Sequence, residues 1–124
     1  MLIQSITMTD QRYEQARDRV DYIKRYIFPG GCLPSHAVIA QHIARDTELQ
    51  QTHLLDITED YARTLADWRE RFMAALPQVR EMGFDERFIR MWEFYLCYCE
   101  GGFRERIINT LQLGFVKPGY KTTT

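Results

Sequence analysis

Leu2-Ile3-Gln4-Ser5-Ile6-Thr7 is a short apolar, partly β-branched run, and beyond it Tyr13, Ala16, Val20, Ile23 and Ile27 recur at three- and four-residue steps. The first run predicts a strand. The second, with Arg12, Glu14, Arg17, Asp18 and Lys24 falling mostly between its apolar members, predicts one amphipathic helix over 13–27. Thr9 or Asp10 can cap that helix by accepting a backbone N–H bond. Pro29, Gly30 and Gly31 end it, and Ser35, after Pro34, caps a shorter helix through Ala44. A strand that feeds a helix is the start of an α/β layer, and a strand so near the first residue points to a partial domain.

The rest of the chain continues the alternation. Residues 51–57 read as a second strand. Thr58, Glu59 and Asp60 open a helix with acidic groups where its dipole favours them. Tyr61, Leu65, Trp68, Phe72 and Leu76 share one face of that helix. Residues 77–82 form a short helical turn stopped by Gly83. Asp85 caps a long helix with a seam of Phe88, Trp92, Tyr95 and Cys99, which Gly101 and Gly102 are expected to loosen near its end. Residues 110–116 are a third strand. The order β-α-α-β-α-α-α-β implies an α/β layer with at least one crossover connection. Three strands are a small sheet for so much helix, and the first leaves an unpaired edge.

Bulk properties remove several function classes. The 124 residues carry 16 Lys+Arg against 17 Asp+Glu, so there is no surplus of cations for wholesale nucleic-acid binding. Three cysteines (Cys32, Cys97, Cys99) without framework spacing suit a reducing compartment. No apolar run approaches the ~20 residues of a membrane span, and no basic-then-apolar leader opens the chain. A soluble, cytoplasmic protein is expected. Cys97 and Cys99 lie two apart on a helix and point in different directions, and His36, His42 and His53 lack mutual ligand spacing, so no metal site is expected. No Ser-His-Asp or Cys-His pairing is readable.

Four segments, in this order, resemble the cyclopropane-fatty-acyl-phospholipid synthases, a family that includes the mycolic-acid cyclopropane synthases. They are residues 2–7 (LIQSIT), 26–35 (YIFPGGCLPS), 60–72 (DYARTLADWRERF) and 94–104 (FYLCYCEGGFR), which together span nearly the whole chain. The resemblance implies the C-terminal segment of a seven-stranded, SAM-binding methyltransferase sheet: its last three strands, with the final one antiparallel between the other two. It also implies a single partial domain over 1–124, in which residues 58–106 cover an acyl-chain channel. The family's glycine-rich turn, which binds SAM after its first strand, has no counterpart here. Neither Gly30-Gly31 nor Gly101-Gly102 follows a strand and opens a helix.

By resemblance, Tyr61 matches a tyrosine that helps hold a bicarbonate ion, the base for the methylated carbocation; by spacing alone it belongs to the apolar face with Leu65 and Trp68. Gln4 and Ile6 stand where the family presents a catalytic histidine and a backbone group to the same ion. Glutamine can hydrogen-bond bicarbonate but does not titrate near neutral pH, which fits a branch that transfers methyl groups to a lipid without ring closure. By helical spacing Trp68, Phe72, Trp92, Tyr95 and Phe103 read as core; the resemblance implies that they line an acyl channel. Arg104 and Arg106 are placed to cap carbonyls, to meet solvent or to meet a phospholipid headgroup.

Three readings of the chain follow. It is one part of a methyltransferase that needs an upstream N-terminal half, with SAM as cofactor, a phospholipid acyl chain as substrate and peripheral membrane contact. It is a non-catalytic remnant that pairs with a second copy of itself through the free strand edge. Or it is a lipid-binding module built from the helical cover.

Overall fold

The computed structural model describes residues 1–121. Strand β1 is Leu2–Met8, β2 is Gln50–Asp56 and β3 is Ile108–Val116. They form one sheet in the order β1-β3-β2, with β3 antiparallel to both neighbours, as expected of the final strand. The three strands therefore leave β1 and β2 as the two edges, and β2 is exposed along its whole length. Helix α2, His36–Asp46, lies on one face of the sheet, and α3 (Thr58–Ala74) and α5 (Glu86–Arg104) lie on the other. Helix α4 is the short Leu76–Glu81.

The alternation of side chains along each strand builds two apolar layers. On one face Ile3 packs with Leu111, Leu113 and Phe115 under Ile39 and Ile43 of α2. On the other, Ile6 and Ile108 meet Leu65 of α3 and Leu96, Cys99 and Phe103 of α5. Phe103, Leu65 and Leu113 are fully buried, and each contributes ~1.5–3 kcal/mol by leaving water.

The helix expected over 13–27 is two pieces. Helix α1 is Tyr13–Asp18, the chain turns extended at Arg19 (φ −98°, ψ 142°), and a π-helical turn follows at Ile23–Ile27. The break arises because the Lys24 ammonium folds back and donates to the carbonyls of Ala16, Arg17 and Arg19, satisfying the end of α1. Val20, expected on the apolar face, is instead 76% exposed, while Ile23 reaches the core layer of α3 and α5.

The caps follow side-chain chemistry where it is available. Ser35 Oγ accepts from Val38 N at 3.1 Å and Asp85 Oδ1 from Phe88 N at 2.8 Å. Asp10 does not cap its own helix: its Oδ1 accepts from Ala37 N at 2.9 Å at the start of α2.

The glycines at 101 and 102 do not loosen α5, which runs on to Arg104. A Cβ on Gly102 would stand 3.1 Å from Ile108 Cγ1, so its bareness lets the end of α5 approach the start of β3. The helix closes with Ile107 N bonded to Gly102 O and Arg106 N to Phe103 O, a closure that requires the left-handed φ of 52° found at Arg106. Arg106 is held there by an ion pair with Asp56.

Candidate functional site: an apolar cavity beside strand β1

Three elements enclose a cavity of about 500 Å³: the end of β1 (Ile6, Met8), the segment 21–33, and the α5 face of Tyr95, Tyr98 and Cys99, floored by Ile108. The 21–33 segment stays against α5 through aromatic contacts. Tyr22 O–H donates to Met91 O at 2.7 Å, and its ring meets Phe94 edge-on at 4.7 Å. Phe28 meets the Tyr95 ring edge-on at 6.2 Å.

Apolar walls set the protonation of the groups on them. Burial pushes the Cys99 thiol up to about 11; the nearby Asp21 carboxylate adds to that shift and a hydrogen bond with Tyr95 opposes it. Burial likewise raises the Tyr95 and Tyr98 phenols, with Cys99 adding most for Tyr95 and Asp21 for Tyr98. The cavity therefore presents neutral thiol and phenol groups at neutral pH. It can hold an aliphatic chain, and the protonated thiol is a poor nucleophile.

The residues singled out in the sequence distribute unevenly around this cavity. Ile6 and Tyr95 line it. Tyr61, half-buried on α3, packs with Ile6 in the same apolar layer, its ring 5.1 Å from that of Phe103. Gln4 lies on the same face of β1 two residues from Ile6, exposed, with its Oε1 accepting from Gln112 Nε2 at 2.9 Å. Phe103 and Phe72 belong to the layer beneath. Trp92 meets Tyr95 edge-on at 5.3 Å. Trp68 is 46% exposed and off the cavity wall. Asp21, Ile23, Phe28 and Tyr98 line the cavity without having been singled out. The 26–35 run was the available signal for Phe28 and the 94–104 run for Tyr98 on α5; Asp21 and Ile23 depend on a π turn that spacing does not show.

A second, polar hollow of about 360 Å³ lies by Glu59, Arg63, Arg104 and Arg106. Two of its guanidinium groups are already paired, Arg104 with Glu100 at 2.8 Å and Arg106 with Asp56. Neither arginine follows the expected choice of carbonyl, solvent or headgroup alone; each has a carboxylate partner. Among the described residues no group of three or more His, Cys, Asp or Glu side chains is placed to hold a metal, and no helix is long and apolar enough to cross a membrane.

The family model for mycolic acid cyclopropane synthetase matches residues 1–113. The chain belongs to this family. Among curated relatives of this synthetase family, it is 41% identical over 117 residues to the tuberculostearic acid methyltransferase UfaA1 of Mycobacterium tuberculosis, covering 94% of this chain and 27% of that protein. It is 43% identical over 94 residues to the cyclopropane-fatty-acyl-phospholipid synthase of Escherichia coli, covering 76% and 24%. The chain thus spans about a quarter of the length of these relatives. Among solved structures, the cyclopropane synthase MmaA2 of Mycobacterium tuberculosis superposes with a TM-score of 0.80 at 25% identity, over 94% of this chain and 43% of that one. The mycolic acid cyclopropane synthase CmaA1, solved with SAH and CTAB, gives 0.79 at 26%, over 93% and 43%.

Within this synthetase family member, no described strand leads into a glycine-rich turn that opens a helix, the feature that the resemblance assigns to SAM binding. Strand β1 passes through Thr9 into a 3-10 turn at Asp10–Arg12 with no glycine between strand and helix. Gly30 and Gly31 lie in a turn, and Gly101 and Gly102 lie inside α5.

Proposed function

We propose that this chain is the acyl-chain-binding, C-terminal part of a SAM-dependent lipid methyltransferase, and that methyl transfer requires an upstream part that holds SAM. The apolar cavity between β1, segment 21–33 and α5 carries the reading, because it offers neutral walls to an aliphatic chain beside Ile6. The chain would hold a phospholipid acyl chain at a membrane surface on the cytoplasmic side, and the upstream half would pair the free edge of β1, where Leu2 is 67% exposed. Holding donor and acceptor together is the larger part of catalysis in such a transfer, so the chain alone is inactive.

Tyr61 and Gln4 are the donors left for a small anion such as bicarbonate. The Tyr61 hydroxyl has no hydrogen-bond partner among the described residues, and the Gln4 contact with Gln112 uses its oxygen and leaves its amide N–H groups free. Gln4 cannot take a proton near neutral pH. With UfaA1 named a methyltransferase, we favour simple methyl transfer over ring closure.

The test is reconstitution. The chain is mixed with unsaturated phospholipid vesicles and methyl-labelled SAM, alone and with the separately produced upstream part of the Escherichia coli relative. Label should enter lipid only when both parts are present, and Tyr61→Phe should reduce it about tenfold or more. Label transferred by the chain alone would refute the division of labour.

A further inference from the structure

We propose that residues 13–33 form a flap that swings off the apolar cavity as one unit, so that an aliphatic chain enters from the side. Lys24 is the clasp that makes the flap one unit, and the Tyr22 hydroxyl is its latch on α5. The inference rests on reading this cavity as the acyl site. The two ends of the flap are pinned side by side on the body of the fold. Met8 N donates to Pro34 O at 2.9 Å, and Ala37 N donates to Asp10 Oδ1 at 2.9 Å. The chain therefore leaves the body and returns to it along one line, which is the geometry of a hinge.

Between those pins, no residue of α1 or of the π-helical turn is buried, whereas α3 buries Ala62 and Leu65 and α5 buries Ile89, Leu96 and Phe103. Arg19, in extended conformation, separates α1 from the turn. Lys24 Nζ bridges that gap by donating to the carbonyls of Ala16, Arg17 and Arg19, a cation on the open carbonyls of a helix end. Helix α1 is thereby carried with the turn, and its Ala16 lies on the cavity wall. The turn itself is held by little. Tyr22 O–H donates to Met91 O at 2.7 Å, Tyr22 and Phe28 meet Phe94 and Tyr95 edge-on, and Ile23 touches the α3–α5 layer. A segment with so few buried contacts opens at a cost far below that of global unfolding. Its opening uncovers Ile6, Tyr95 and Ile108, so a lipid with a bulky head need not thread its tail end-on.

The experiment has two arms on the whole chain. In the first, stopped-flow mixing with cis-parinaric acid follows the rise in probe fluorescence. The rate should level off at high probe concentration, because the flap must open first. Tyr22→Phe, which keeps the ring and removes the latch, should raise that plateau about fivefold. Asp56→Asn, a change at the far edge of the sheet, should leave it unaltered. In the second arm, trypsin acts on the chain without probe. Tyr22→Phe should speed cleavage after Arg19 and after Arg25 by the same factor, whereas Lys24→Met should speed it after Arg17 and Arg19 only. Rates that rise linearly with probe throughout, a plateau that Tyr22→Phe does not move, one that Asp56→Asn raises equally, or unequal cleavage in Tyr22→Phe would overturn the proposal. So would Lys24→Met with the cleavage pattern of the wild type. Binding without a plateau removes the flap and leaves the acyl site standing, whereas no fluorescence rise at all overturns both, so the two failures are distinguishable.

Discussion

The hydroxyl of Tyr22 donates a 2.7 Å hydrogen bond to the main-chain carbonyl of Met91, and this contact ties the irregular 21–33 segment to α5. The segment has no ladder or α-helical bonding of its own across most of its length, and it covers the cavity by aromatic packing on Phe94, Tyr95 and Tyr98. It is therefore the part of the fold with the least to lose on local opening.

Replacing Tyr22 with Phe keeps the ring and removes the bond, at a cost of about 1 kcal/mol. Trypsin should then cut at Arg19, Lys24 or Arg25 several times faster, with the α3–α5 layer still intact. Limited proteolysis followed by mass spectrometry reads this directly. Unchanged cleavage would mean the segment is held by packing alone.

Aromatic residues that look alike in sequence should separate sharply in stability. Phe103 is 2% exposed at the centre of the α3–α5 layer, whereas Trp68 is 46% exposed. Phe103→Ala should cost about 3–5 kcal/mol through the cavity it leaves, and Trp68→Ala well under half of that. Urea denaturation of the two variants compares them on one scale.

Asp56 makes stability depend on acid. Burial pushes its carboxyl upward, but bonds from the Thr58 hydroxyl and backbone N–H and from the Arg106 guanidinium outweigh it and hold the group below the usual carboxylate range. A depressed folded-state value means the stabilisation is present above the unfolded carboxylate value of about 3.9 and is lost as pH falls through the folded one. Melting temperature measured from pH 6 down to pH 2 should fall less steeply in Asp56→Asn than in the wild type, from a lower starting point.

The three cysteines should divide by reactivity. Cys32 and Cys97 are exposed, while Cys99 is buried with its thiol pushed up to about 11. Iodoacetamide at pH 8 should label the first two and leave Cys99 unmodified until the chain is unfolded, since the thiolate is the reacting form. Peptide mapping after timed labelling tests this. Rapid labelling of Cys99 in the folded chain would contradict the closed apolar wall.

The parts of the fold legible in the sequence are those set by local chemistry. Ser35 and Asp85 cap as their types suggest, and the alternation of Leu111, Leu113 and Phe115 puts β3 where its two neighbours can flank it. The break after Asp18 was not legible, because apolar steps of three and four continue through it and its cause is the non-periodic reach of Lys24 to three carbonyls. The site divides in the same way. Tyr95 sits on the readable seam of α5, but Asp21 and Phe28 reach the cavity only through the π-helical turn between them. Trp68 matches its helix face by spacing and still lies in solvent, because the face of α3 packed on α5 is centred on Ala62 and Leu65.

The central claim is that the chain supplies an acyl site and lacks a cofactor site. Calorimetric titration of the purified chain with SAM tests it most directly. The account predicts no measurable heat of binding at concentrations where an intact relative saturates. Stoichiometric binding at micromolar SAM would contradict it, since three strands without a glycine-lined turn would then be building a cofactor site that the structure does not show.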